Sequence, residues 1–126
     1  MPRKPIRTVV VDDDPDVAES FSRLLQLMGC VAVHVTNPKL AINAAQKLEA
    51  DVVFLDIGMP GLDGYELARL FRARYGDSPL HLVAVTAYGT PQDRAKSRVA
   101  GFDAHVQKPI DPAVAEAMIA TLFRDL

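Results

Sequence analysis

Apolar residues in this chain fall into short β-branched runs that stop on a polar residue, each followed by a stretch with helical spacing. Ile6 to Val11 is the first run and ends at Asp12-Asp13-Asp14, which predicts a buried strand with acids at its carboxyl end. Asp14 before Pro15 is an N-cap and first-turn signal, and Val17, Phe21, Leu24, Leu25 and Met28 then recur at helical spacing as far as Gly29. Val31, Val33 and Val35 alternate in a second strand, and Asn37-Pro38 opens a helix whose Ala41, Ala44, Ala45 and Leu48 share a face. Val52 to Leu55 is a third strand ending on Asp56. After a Gly/Pro loop, Asp63 with Glu66 predicts a capping-box start for a helix ending near Gly76, with Leu67, Leu70 and Phe71 toward the core. Leu80 to Val85 is a fourth strand ending on Thr86, and Thr90-Pro91 starts a short helix stopped by Gly101. Ala104 to Gln107 is the last strand; Asp111-Pro112 then opens a terminal helix with Ala115, Met118, Ile119 and Leu122 on one side.

Five strand–helix units with strands apolar on both faces imply an α/β fold: a doubly wound five-stranded parallel sheet with right-handed crossovers and helices on both sides. The preferred strand order is 2-1-3-4-5, although the pattern alone does not fix it. The length of 126 residues predicts one domain over 1–126, with its core in 6–123 and no effector domain. No apolar run exceeds four residues, whereas crossing a bilayer takes roughly 20. With no secretory signal behind the basic start, the expectation is a cytoplasmic protein without membrane contact. A lone Cys30 excludes an internal disulfide and a cysteine-based zinc site, and a net charge of −2 argues against direct nucleic-acid binding.

In open parallel sheets ligands bind beyond the carboxyl ends of the strands, where loops diverge and helix N-termini point. The polar residues there are Asp12, Asp13 and Asp14 after strand one, Asp56 after strand three, Thr86 after strand four and Lys108 after strand five. Two carboxylates 4 Å apart repel by roughly 4 kcal/mol at an effective dielectric near 20, so such a cluster calls for a cation. An all-oxygen site with an open face suits Mg²⁺ better than Ca²⁺, and Mg²⁺ completes its shell with water and phosphate. A Thr hydroxyl and a Lys ammonium are matched to phosphate oxygens, one by hydrogen bond and one by charge. The combination points to phosphoryl transfer.

VVVDDDP, FLDIGMPGLDGYEL, VAVTA and the late KP together resemble the receiver (response-regulator) domain of two-component phosphorelay signalling, from Ile6 to Phe123, with a flavodoxin-like (βα)5 fold. The run GFDAHVQKPID resembles receivers of hybrid sensor histidine kinases in particular. The resemblance implies a phosphorylation-dependent switch and not a turnover enzyme. It implies Asp56 as phosphoacceptor from the phosphohistidine of a sensor histidine kinase or phosphotransfer protein. It further implies Mg²⁺, or Mn²⁺, held by Asp12, Asp13, Asp56 and the backbone carbonyl of Gly58. Thr86 and Lys108 would engage the phosphoryl oxygens, Lys108-Pro109 would be a cis peptide, and a downstream protein partner would read the face of helix four, strand five and helix five. Gly58 and Tyr88 occupy positions that tune the lifetime of the phosphorylated state. One departure is His105, where the family usually carries Tyr or Phe; it is expected to move with Thr86 as a switch.

Several polar residues have plainer readings. Asp14, Asp63 and Asp111 serve as helix caps, and Asp16 and Asp103 as solvated surface acids. His34 and His81 are structural or exposed, Cys30 is a small buried hydrophobe, and Arg94, Lys96 and Arg98 make a basic helix face able to meet an acidic partner. A haloacid-dehalogenase-like phosphatase also uses Asp, Thr, Lys and Mg²⁺, but its nucleophile follows strand one and a late acidic pair is missing here.

Overall fold

In the computed structural model, residues 4–59, 63–76, 78–87 and 89–123 are described. The order of elements is β1 (Arg7–Val11), α1 (Pro15–Leu27), β2 (Val31–Val35), a 3₁₀ turn (Pro38–Leu40), α2 (Ala41–Leu48), β3 (Val52–Asp56), α3 (Gly64–Tyr75), β4 (His81–Thr86), α4 (Pro91–Ala100), β5 (Ala104–Gln107) and α5 (Pro112–Leu122). The five strands form one parallel sheet in the order β2-β1-β3-β4-β5, as expected.

Alternation along the strands divides the core in two. Val9, Val11, Val53, Leu55, Leu82 and Ala84 point to the side covered by α2, α3 and α4, where Ala41, Ala45, Leu67 and Phe71 meet them. Val10, Phe54, Val83, Val85 and Val106 point to the side covered by α1 and α5. There the Phe21 and Phe54 rings meet edge to face with centroids 4.8 Å apart, the geometry aromatic quadrupoles favour. Burying both faces of β1, β3 and β4 removes most of their apolar surface from water, at about 25 cal/mol per Å².

The caps lie where the cap-and-proline pairs place them: Asp14, Thr90 and Asp111 accept N–H bonds from the first turns of α1, α4 and α5. Three expectations about the helices need correction. Asn37-Pro38 opens the 3₁₀ turn, and α2 starts only at Ala41. Among the described residues Asp63 caps α3 through the Tyr65 N–H, an Asx turn, with no reciprocal bond from Glu66. Leu70 is 53% exposed and does not face the core.

β2 is an edge strand, so it is not apolar-buried on both faces; Val31 and Val33 are each 39% exposed. The Val31 N–H bonds to the Ile6 carbonyl and the Val35 carbonyl accepts from the Asp12 N–H, so these residues turn their backbone toward β1. Ala32, between them, turns its carbonyl outward, where the Gln26 side chain of α1 donates to it at 3.0 Å.

One close approach fixes the frame at the carboxyl ends of the strands, and another lies at the amino ends of β4 and β5. A Cβ on Gly64 would lie 2.5 Å from the Ile57 Cα, so only glycine lets α3 start against the turn that follows Asp56. Gly101 ends α4 at φ +112°, and its carbonyl accepts from Arg72 Nε at 2.9 Å. Arg72 also donates to the Leu80 carbonyl at 2.6 Å and to Asp103 Oδ2 at 2.7 Å. Asp103 Oδ2 further accepts the Leu82 N–H at 2.8 Å. Asp103 is exposed, as expected, and is also part of a clasp joining α3, β4 and the start of β5.

Candidate functional site

β1 and β3 are neighbours in register, Val11 beside Leu55, so the residues that follow them emerge side by side at one edge of the sheet. Asp12, Asp13 and Asp56 each offer a carboxylate oxygen there, all within 4.8 Å of one another. Asp12 and Asp56 are buried, Asp13 is exposed, and the open face of the cluster is therefore on the Asp13 side. β5 delivers Lys108 to the same place: its ammonium donates to Asp12 Oδ2 at 2.8 Å and to Asp56 Oδ2 at 3.1 Å. Burial works against the charge on Lys108, but its hydrogen bonds to Asp12 and Asp56 and their two negative charges outweigh burial and hold its pKa above the ordinary lysine value.

The remaining carboxylate oxygens on the buried pair are oriented by backbone. Asp12 Oδ1 accepts the Asp14 N–H at 2.9 Å, and Asp56 Oδ1 accepts the Gly58 N–H at 2.8 Å. Gly58 sits in the turn directly after Asp56; a Cβ there would stand 3.5 Å from Asp56 Oδ1, in ordinary contact, so its lack of a side chain leaves the acceptor oxygen uncovered on that side. Thr86 is buried at the end of β4, and its carbonyl accepts the Lys108 N–H at 2.7 Å, which ties the two residues' strand ends together. Lys108-Pro109 is a cis peptide, as expected. His105 pairs with Ala84 on β4, two residues before Thr86, and is half-buried. Tyr88 lies outside the described residues. The structure thus brings Asp12, Asp13, Asp56, Thr86 and Lys108 to one strand-end crevice, with Gly58 beside them and His105 one layer below.

With three carboxylates against one ammonium, the cluster keeps an excess of negative charge in a partly buried place, and every ligand atom is oxygen. That donor set fits a hard divalent cation with water positions left over, as Mg²⁺ prefers. Asp14 and Asp111, whose carboxylates cap helices, stay out of it. Sequence reasoning missed Gln107, whose amide donates to the Ala87 carbonyl at 3.4 Å and whose Oε1 would be 3.3 Å from a Cβ on Gly89. Its position just before Lys108 is the one available signal.

A family model, the response regulator receiver domain, matches residues 8–120. The chain is 32% identical over 104 residues to an uncharacterized 14.6 kDa protein from Leptolyngbya boryana, covering 82% of this chain and 79% of that one. It is 35% identical over 107 residues to the sensor protein GacS of Pseudomonas syringae pv. syringae, covering 82% of this chain but 12% of GacS. Among solved structures, the chemotaxis protein CheY4 of Vibrio cholerae superposes with a TM-score of 0.88 at 21% identity, over 95% of this chain and 100% of that one. The chain spans about half the length of the curated transcriptional regulators it matches. Among the described residues no helix is long and apolar enough to cross a membrane. Its strand order, its acid-and-lysine crevice and the match over residues 8–120 make this chain a member of the response regulator receiver domain family, the phosphorylation-dependent signalling switches of two-component systems.

Proposed function

We propose that Asp56 accepts a phosphoryl group from a phosphohistidine of a sensor histidine kinase or phosphotransfer protein. The observation that carries this reading is the convergence of Asp12, Asp13 and Asp56 within 4.8 Å, with Lys108 bridging the two buried carboxylates. In the transfer the P–N bond of the donor breaks, a P–O bond to an Asp56 carboxylate oxygen forms, and the imidazole leaves as the neutral ring after taking up a proton. Asp12, Asp13, Asp56 and the Gly58 carbonyl would hold Mg²⁺ or Mn²⁺, which would supply charge neutralisation for the phosphoryl oxygens. Lys108 is already in hydrogen-bond contact with Asp56, and its ammonium supplies a second positive charge at the same oxygens. Thr86 adds a hydroxyl donor from β4.

The acyl phosphate hydrolyses with the crevice's own help, so the domain times a signal instead of turning over substrate. A groove of about 670 Å³ lies next to Lys108, walled by Val17, Phe21 and Leu24 of α1 and by Pro109, Ile110 and Pro112. Its apolar walls support docking of the donor protein there, and output passes to a protein partner on the α4, β5 and α5 face through Thr86 and His105. The net charge of −2 supports a protein readout and not direct nucleic-acid contact, in the cytoplasm.

Mass spectrometry after incubation with acetyl phosphate or phosphoramidate tests the reading. One phosphoryl group is expected on the wild-type chain, none on Asp56→Asn, and none when magnesium is withheld. Uptake that persists in Asp56→Asn, or repeated turnover of a generic phosphate ester, would overturn it.

A further inference from the structure

Gln107 ends β5 at an exposed position, yet its side chain folds back over the residues that follow β4. Its Nε2 donates to the Ala87 carbonyl at 3.4 Å, the long end for such a bond. Its Oε1 would stand 3.3 Å from a Cβ on Gly89, and the same Cβ would be 3.8 Å from His105 Nε2. The backbone at Gly89 therefore lies close against two side chains of β5. Val106, between those two residues, belongs to the core beneath α1 and α5, so His105 and Gln107 point to the opposite side of the sheet. Thr86 pairs with Gln107 in register and shares that side, since Ala84, two residues earlier, belongs to the other core.

Holding a glutamine in one arrangement costs rotamer entropy, which the two contacts to one short segment offset. Together they extend the β4–β5 pairing beyond the ends of the strands. The Thr86 carbonyl accepts the Lys108 N–H at 2.7 Å, and the next carbonyl along, that of Ala87, accepts from the Gln107 side chain. Two successive carbonyls at the end of β4 are thus tied to two successive residues of β5. Threonine is β-branched and stiff at χ1, so the direction of its hydroxyl follows its backbone. Fixing the backbone at Ala87 therefore bears on where the Thr86 hydroxyl points.

We infer that Gln107 is a positioning residue for phosphoryl uptake: it bridges β5 to Ala87 and Gly89, and so holds Thr86 where its hydroxyl meets the phosphoryl group arriving at Asp56. This rests on the phosphoacceptor reading of Asp56 and adds to it a residue that acts through Thr86. Gln107 takes part in no bond that forms or breaks. Its contribution is to have a donor in place before charge develops on the phosphoryl oxygens, which spares reorganisation during the transfer.

The test is a double-mutant cycle in the full chain with Gln107→Met and Thr86→Ala, read as the rate of phosphoryl uptake from acetyl phosphate with magnesium. Methionine keeps the length of glutamine without its donor, and the position is exposed, so the urea midpoint should stay at the wild-type value. With Thr86 present, Gln107→Met should slow uptake at saturating donor about threefold to tenfold, the range for one hydrogen bond, and leave the half-saturating donor concentration unchanged. In the Thr86→Ala background, where there is no hydroxyl to place, the same substitution should change the rate by less than about 1.5-fold. An unchanged rate with Thr86 present, or an equal loss in both backgrounds, would overturn the inference. The Thr86 methyl signal in NMR spectra, recorded without phosphodonor, should shift in Gln107→Met; a signal that stays in place would likewise overturn it. Wild-type chain that takes up no phosphoryl group would sink the phosphoacceptor reading, and the methyl signal would then decide separately whether Gln107 sets the placement of Thr86.

Discussion

Lys108 shows how one side chain reports on the whole crevice. Its ammonium is held above the ordinary value of 10.5 by Asp12 and Asp56, against the opposing effect of burial. A group whose folded-state pKa is raised gives its full stabilisation below the unfolded value and loses it as pH rises through the folded one. Lys108→Met should therefore be less stable than wild type by a steady margin across neutral pH, about 1–2 kcal/mol after allowing for the solvent that still reaches the side chain. Urea midpoints measured against pH should show that margin closing only above the ordinary lysine range. The acids were legible because they end apolar runs, and the lysine because it follows the last strand and stands directly before Pro109. Asp103 was not, because what makes it structural is Arg72, 31 positions away in another element.

At the scale of elements, the caps read well because a cap is a local event: an Asp or Thr oxygen bonding an N–H two or three residues on needs no tertiary partner. What the cap signal does not specify is the kind of turn that follows, and after Asn37 three residues take the 3₁₀ form before α2 begins. Nor does a periodic pattern show which apolar position is left uncovered, as Leu70 is on α3. The Asp63-Gly64 pair held a signal that only geometry decodes, since the start of α3 lies against the Ile57 backbone. Gly64→Ala should cost about 1–3 kcal/mol in urea unfolding, the usual range for forcing a methyl into a packed contact. Its largest amide shifts should fall at residues 56–58.

At the scale of the whole molecule, the number of strand–helix units and the end of the sheet that carries chemistry followed from pattern, whereas the strand order did not. Five similar parallel strands can be arranged in more than one way with right-handed crossovers, and the choice is made by packing that no short window of sequence contains. The convergence of the acids depends on that order, because β1 and β3 must be adjacent for Asp12 and Asp56 to meet. A cation that binds only the folded chain stabilises it by mass action, about 2.7 kcal/mol at a hundred times its dissociation constant. The melting temperature should accordingly climb with magnesium concentration in the wild type. Asp13→Asn should flatten that response while leaving the Lys108 contacts in place, since Asp13 is exposed and is not bonded to Lys108. An equal rise in the variant would show that Asp13 is no ligand.

The outer margin of the sheet has a bearing on how this protein fares when concentrated. β2 is rich in valine and lacks the lysine or proline that often guards such a border, a composition that invites strand-by-strand stacking of one molecule on another. With the Ala32 carbonyl already occupied by Gln26, a newcomer finds one fewer acceptor to begin a ladder. That single amide, far from the chemistry, helps keep this domain from becoming the seed of a fibre.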